Sequence, residues 1–481
     1  MIRAVFSVAM QWAGIIMSML LLPGIGLAQH QEIHEMPNLW RGRQIEEHDS
    51  TSLLAAFRDG RASGHFRTYW MNTENRGDLT DYYALAVGGG LRYETAPFYG
   101  FQFAVSGFYI FDIVSSDFTK TDPTTGAISR YELALFDLTN PKNHHDLDRL
   151  EELYLKYRYR WVQIRLGKQL LNTPFVNLQD GRMRPTGVNG LWMQVDNGKR
   201  WKLEGGLIHR VSPRSTVSWY GIGESIGLYP AGVDVHGNPS GYAGHLNSKV
   251  MSLAGLECKP LSSLTLRAWH HWVQGIYHAS LMEAHYHQSL DEHMEWYSGL
   301  QSIGQFSDGG GHEESTKQYM PADARSYTAG FQSGIRSDRW DISVNYNRIF
   351  GPDRYLQPRE WGREPFFTFM PRERNEGMGD AEAVVVKGDY KLRGNGFHPG
   401  LAVGYFRLPD IADAHLNKYG LPSYVHVNLD LRYHFHGFFE GLDAQLLLVG
   451  KWNAIGHTIP DANAINKVDM WMANAIMNYH F

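Results

Sequence analysis

The sequence predicts an all-β chain: a transmembrane antiparallel β-barrel of about 18 strands, with short periplasmic turns and long extracellular loops folding partly into the lumen. Three observations lead there. Polar and apolar residues alternate with a period of two through most of the chain. Short and long connections alternate between those runs. An export signal is followed by no apolar stretch of the ~20 residues that a spanning helix needs.

Residues 1–28 read as that signal, with Arg3 as the basic start and Val5 to Leu22 as the apolar run. Gly26-Leu27-Ala28 supplies a small-residue cleavage site, while Gln11, Trp12 and Pro23-Gly24 interrupt any retained anchor. An exported chain without a spanning helix is either soluble or a closed barrel. The formal charge of −5 over 481 residues points to no nucleic acid or other polyanion partner. Aromatics at 13% and 50 glycines favour β structure rich in turns. The one cysteine, Cys258, forms no disulfide within the chain and reads as a packing residue.

Residues 29–60 are polar and mixed, a periplasmic lead-in with a short helix expected at Leu53–Phe57. Residues 61–481 form the barrel. Its strands are expected at Gly64–Met71, Tyr82–Thr95, Gly100–Asp112, Glu151–Arg160, Val162–Leu171, Gly187–Asp196, Trp201–Val211, Val250–Cys258 and Leu264–Val273. They continue at Gly275–His287, Met294–Phe306, Ala324–Ile335, Trp340–Phe350, Glu382–Leu392, Gly400–Leu408, Tyr424–Phe435, Leu442–Asn453 and Val468–Phe481. Tight links fall near Pro97, Arg160, Asn197-Gly198, Pro260-Leu261, Ser337-Asp338, Gly394-Asn395 and Gly437. Long ones span 113–149, 172–186, 212–248, 307–323, 351–380, 409–423 and 454–467. No repeat motif of a propeller or solenoid is present.

The hairpin Leu153–Gln169 fixes which phase faces inward. Leu153, Leu155, Tyr157, Tyr159 and Trp161 oppose Glu152, Tyr154, Lys156, Arg158 and Arg160. One Arg or Lys facing lipid at mid-membrane costs roughly 2–4 kcal/mol, so the charged phase must line a water-filled interior. In the last run, Trp471, Ala473, Ala475, Met477, Tyr479 and Phe481 oppose Asn474, Asn478 and His480. An apolar phase ending in Phe481 resembles the signal read by the barrel-assembly machinery.

The wet phase nominates a pore lining of Arg67, Lys156, Arg158, Arg160, Arg165, Arg267, Lys387, Lys391 and Arg432. A basic track between low-dielectric walls draws anions and carboxylate-bearing solutes, although such charges also brace a lumen by pairing. Two long loops combine Pro, Arg and aromatics and are expected to form a constriction: Asp180, Arg182 and Arg184 in one, Arg359, Glu360, Arg363, Arg372 and Arg374 in the other. Paired histidines such as His285 and His287 lack a completing ligand set, so neither a metal nor another cofactor is expected.

Several stretches resemble the OprD family of outer-membrane porins. They are Lys168-Gln169 to Pro185 with its Asn-Thr-Pro and Asp-x-Arg-x-x-Pro elements, and Glu360-Trp361-Gly362-Arg363-Glu364-Pro365-Phe366. Pro371-Arg372-Glu373-Arg374-Asn375-Glu376-Gly377, Gly379-Asp380, Phe57-Arg58-x-Gly60-Arg61-x-x-Gly64 and Arg67-x-Tyr69 are similar too. The resemblance implies a monomer or loose homotrimer, a basic ladder, a constriction of inward-folded loops, and an outer membrane with its lipopolysaccharide as surroundings. Family solutes include basic amino acids, peptides, aromatic and other carboxylates, and chitin-type oligosaccharides. The expected function is passive, selective diffusion of small hydrophilic solutes. An outer-membrane barrel hydrolase and a soluble exported sugar-binding β-protein are the alternatives.

Overall fold

β-Branched and aromatic residues at alternate positions, separated by Gly, Asn and Pro turns, favour extended hairpins. The computed structural model describes residues 49–178, 181–392 and 396–481; the export signal, residues 29–48 of the lead-in and Asp180 lie outside the described residues. Helix α1 (Leu53–Arg58) is capped by the Ser52 hydroxyl, which accepts from the Ala55 amide at 3.1 Å. It matches the expected helix, extended by one residue.

The strands are β1 (Arg61–Asn75), β2 (Tyr82–Glu94), β3 (Phe101–Ser115), β4 (Asp148–Tyr159), β5 (Val162–Gln169), β6 (Gly187–Asp196), β7 (Trp201–Ser212), β8 (Met251–Leu261) and β9 (Leu264–Val273). They continue as β10 (Tyr277–Ser289), β11 (Met294–Ser307), β12 (Arg325–Ser337), β13 (Trp340–Phe350), β14 (Ala381–Tyr390), β15 (Phe397–Arg407), β16 (Tyr424–His434), β17 (Leu442–Asn453) and β18 (Met470–His480). Among the described residues the sheet has 19 strands, one of them the two-residue piece Tyr220–Gly221 against β7; the other 18 are the barrel. Each pairs antiparallel with the next, and β1 meets β18 from His65↔His480 to Asn75↔Met470, which closes the sheet.

Every expected run forms a strand, including the two at 275–306. The boundaries, one tight link and the strict alternation of connection lengths need correction. The tight link expected at Pro260-Leu261 is at Ser262-Ser263, because the ladder continues to Leu261↔Leu264. At the long-loop end the connections 76–81 and 274–276 are short, so the alternation of lengths is not strict.

Phase follows the energetic argument. Leu155 is 48% exposed on the outer wall whereas its neighbour Lys156, pointing inward, is 5% exposed. The interior departs from expectation in its long-loop half. There Trp192, Ile208, Leu253, Leu281, Ile303, Ile349, Val385 and Phe406 point inward and pack with the loop residues Phe175, Trp361, Phe366 and Met370. Loops that enter a lumen must bury their own apolar faces, so the wall turns apolar where they sit.

Candidate functional site

The first inward loop, 170–186, is held by its own short polar residues. Thr173 donates its hydroxyl to the Val176 carbonyl at 2.9 Å and accepts from that residue's amide at 3.0 Å. The Asn177 side chain then clamps the second loop, accepting from Arg363 N at 3.0 Å and donating to Arg363 O at 2.8 Å. Arg184, 2% exposed, donates to the carbonyls of Leu147 and Thr216, each at 3.1 Å. Burial, reinforced by the charge of Arg149, pulls its pKa down to about 9. Arg149 itself, missed in the sequence, donates to Ser212 O at 3.2 Å, Pro213 O at 3.1 Å and Pro185 O at 2.5 Å, and pairs with Glu151 at 2.9 Å. Both are braces.

The second loop, 351–380, is knitted the same way. Trp361 is wholly buried and donates its indole N–H to Ser225 Oγ at 2.9 Å. Glu360 accepts from the Gly227 and Tyr229 amides at 2.9 and 3.0 Å. Arg359 pairs with Glu376 at 3.2 Å and lies 4.7 Å over the Tyr419 ring. Arg363 lies 4.0 Å over Phe369, and Arg374 donates to Gly362 O at 2.5 Å and pairs with Glu364 at 3.3 Å. Gly362 has φ +139°, and a Cβ there would stand 2.4 Å from Asn177 Oδ1, so only glycine fits. Glu373 anchors the far end of the loop on the wall: Lys451 lies at 3.0 Å and His426 at 3.3 Å. Burial raises its pKa, but Lys451 and His426 outweigh that and hold it at about 2.

Two members of this loop pair reach a different place. Arg372, with φ +71°, donates to Tyr69 Oη and to Asn474 Oδ1, the latter at 3.0 Å. Arg67 lies 5.4 Å over the same Tyr69 ring, with Arg372 and Arg182 close enough to repel it. Around them the dry interior is divided. One apolar cluster contains Trp361 and β6–β15 residues; a second contains Tyr69, Met71, Phe108, Phe136 and Met183 and packs on β1–β3, β17 and β18. Three guanidinium groups from β1 and both loops thus meet on the Tyr69 side.

Toward the short turns the wall is polar and largely self-paired. Lys156 meets Glu94 at 2.6 Å, and Arg92 meets Glu94 at 2.8 Å and Glu152 at 3.1 Å. Arg267 meets Glu257 at 2.8 Å, Arg432 meets Asp430 at 2.7 Å, and Lys387 donates to Phe367 O at 2.8 Å. Arg158 donates to Gln163 at 3.2 Å, and Arg165 lies 5.7 Å from the Tyr154 ring centre. Two nominated residues leave the wall. Arg160 occupies the two-residue hairpin turn with φ +51°, and Lys391 is exposed just past the end of β14. A turn residue has no inward phase to keep. Glu94, Glu257, Glu283 and Glu295 are inward acids that the sequence reading passed over; a strict two-residue count through β2, β8, β10 and β11 would have found them. Among the described residues no group of three or more His, Cys, Asp or Glu is arranged to hold a metal ion.

The sequence profile of the family described as "outer membrane porin, OprD family" matches residues 57–369. Among solved structures, Pseudomonas aeruginosa OpdK with vanillate superimposes with a TM-score of 0.67 at 15% identity, covering 88% of this chain and 99% of that one. Pseudomonas aeruginosa OccK8 (OprE) gives 0.68 at 15% identity, over 89% and 99%, and Acinetobacter baumannii OccAB4 gives 0.67 at 15%, over 88% and 98%. No curated protein sequence matches. At such identities the structures speak for the fold, and the profile speaks for the family, whose members are channels of the Gram-negative outer membrane and not enzymes. The chain belongs to the OprD family of outer-membrane porins.

Proposed function

We propose that this porin passes small hydrophilic solutes bearing a carboxylate, by passive diffusion. The meeting of Arg67, Arg182 and Arg372 beside Tyr69 carries that reading. Guanidinium groups fork onto carboxylates, so this cluster offers charged donors to a carboxylate-bearing solute. From there Arg165 and Arg158 continue the basic side toward the short turns, where Lys156, Arg267 and Arg432 pair with Glu94, Glu257 and Asp430. Local cations in a low-dielectric bore raise the concentration of anions there. The vanillate in the OpdK structure, an aromatic carboxylate, is consistent with the same chemistry.

Planar bilayers under a salt gradient test the idea. The expected reversal potential shows anion preference, and Arg372→Gln combined with Arg67→Gln lowers it several-fold in permeability ratio. Liposome swelling should be faster with benzoate-type and amino-acid solutes than with neutral sugars of equal size. Cation preference, or swelling indifferent to the carboxylate, would overturn the proposal.

A further inference from the structure

The apolar surface of the barrel wall does not stop at the short-turn end. Leu53, Leu54 and Phe57 of α1 are 59%, 80% and 48% exposed, on a helix whose Ala56 is buried. The helix is tied to the turn after β2: Ser50 N donates to Pro97 O at 2.8 Å and Ala96 N to Ala56 O at 3.0 Å. Tyr93 donates its hydroxyl to Phe57 O. Tyr93 shares the outward phase of β2 with Tyr83 and Leu91, so α1 lies against the outside of the wall, at the short-turn end where Tyr99, Tyr159 and Trp161 are also exposed. Arg58, whose Nε donates to Asp59 at 3.0 Å and leaves its other N–H groups to solvent, and Arg160, beside the Tyr159 ring, are both exposed at this end of the barrel.

Below α1 the wall carries a groove. It is a cavity of about 320 Å³ whose outward-phase lining is Ala62, Leu91, Tyr93, Val105, Gly107 and Phe481, with the intervening inward-phase residues Ser63, Arg92 and Ser106 also bordering it. Its floor is open because Gly107 has no side chain: a Cβ there would find only Arg149 O, at 3.7 Å. The groove is continuous with the lipid-facing belt, while α1 and two arginines stand at the level where headgroups of the periplasmic leaflet lie.

We propose that α1 is an interfacial anchor and that the groove beneath it holds one acyl chain of a periplasmic-leaflet phospholipid, whose phosphate meets Arg58 or Arg160. Leu53, Leu54 and Phe57 then sit at the headgroup boundary. The lipid seals the sheet where β1 and β18 close.

Full-length Cys258→Ser protein with Leu54→Cys carrying an environment-sensitive fluorophore, in phosphatidylethanolamine–phosphatidylglycerol vesicles, tests the anchor. Nitroxides on the headgroup and shallow acyl carbons should quench it at least twofold, and leave the same probe at Asp323→Cys, in an exposed long-end loop, unaffected. A Leu54 probe that stays unquenched overturns the anchor. For the groove, native mass spectrometry with added phosphatidylglycerol should show a retained lipid adduct. Gly107→Leu fills the groove and should lose the adduct while still migrating as a heat-modifiable folded barrel. Equal adducts in both proteins, or detergent adducts only, overturn the lipid site.

Discussion

Arg149, passed over in the sequence, and Arg372, nominated there for the constriction, have different surroundings and different work. Arg149 spends its donors on Ser212, Pro213, Pro185 and Glu151, binding three stretches of chain together. Arg149→Met should therefore cost roughly 3–5 kcal/mol, since it leaves Glu151 buried without its counter-charge. The check is the midpoint temperature of the heat-modifiable band, which should fall well below that of the parent. Arg372 touches the phenol of Tyr69 and an amide, with Arg67 opposite, so its loss should read out in ion selectivity and little in stability. That arginines gather in these loops was legible in the chain. Which partners they take was not, because groups such as Tyr69 for Arg372 lie far away in sequence.

At the scale of elements, loop 351–380 behaves as an inserted module whose attachments include an apolar one at Trp361 and an ionic one at Glu373. Trp361→Ala empties a dry site and should destabilise the seated loop by about 3–5 kcal/mol. The strands remain, so single-channel conductance should rise and become noisy while the β-sheet circular dichroism is kept. The ionic attachment has a pH sign. The Glu373 pKa of about 2 lies below that of an unfolded glutamate, ~4.3, so its stabilisation is full above ~4.3 and vanishes as pH falls through about 2. Acid-induced opening should therefore develop between those values. In Glu373→Gln the attachment is already weak at neutral pH and this transition should be absent; an unchanged acid transition would show that another group controls the loop.

For the whole molecule, the governing constraint is the exchange of inside and outside relative to a soluble protein. Val344, 49% exposed on the outer face of β13, stands next to the fully buried, inward Asn345. Val344→Arg should cost roughly 2–4 kcal/mol if it meets lipid near mid-membrane. Urea titration in lipid vesicles measures that cost, and a change within ~0.5 kcal/mol would mean that this face is wet.

Strand number, sheet closure and which phase of each strand faces outward were determined by the sequence alone. Each depends on neighbours one or two residues apart, and a two-residue period survives any tertiary arrangement. Leu153–Gln169 and the terminal strand ending at Phe481 already carried the answer. Tertiary structure alone decided that half the interior is dry, that Arg359, Glu360 and Arg374 hold a loop in place, and that Arg67, Arg182 and Arg372 converge. Those outcomes arise from loops meeting across the bore, over contacts such as Asn177 with Arg363 or Arg372 with Tyr69. No local period encodes a contact between residues so far apart in the chain; only closure of the barrel brings them together.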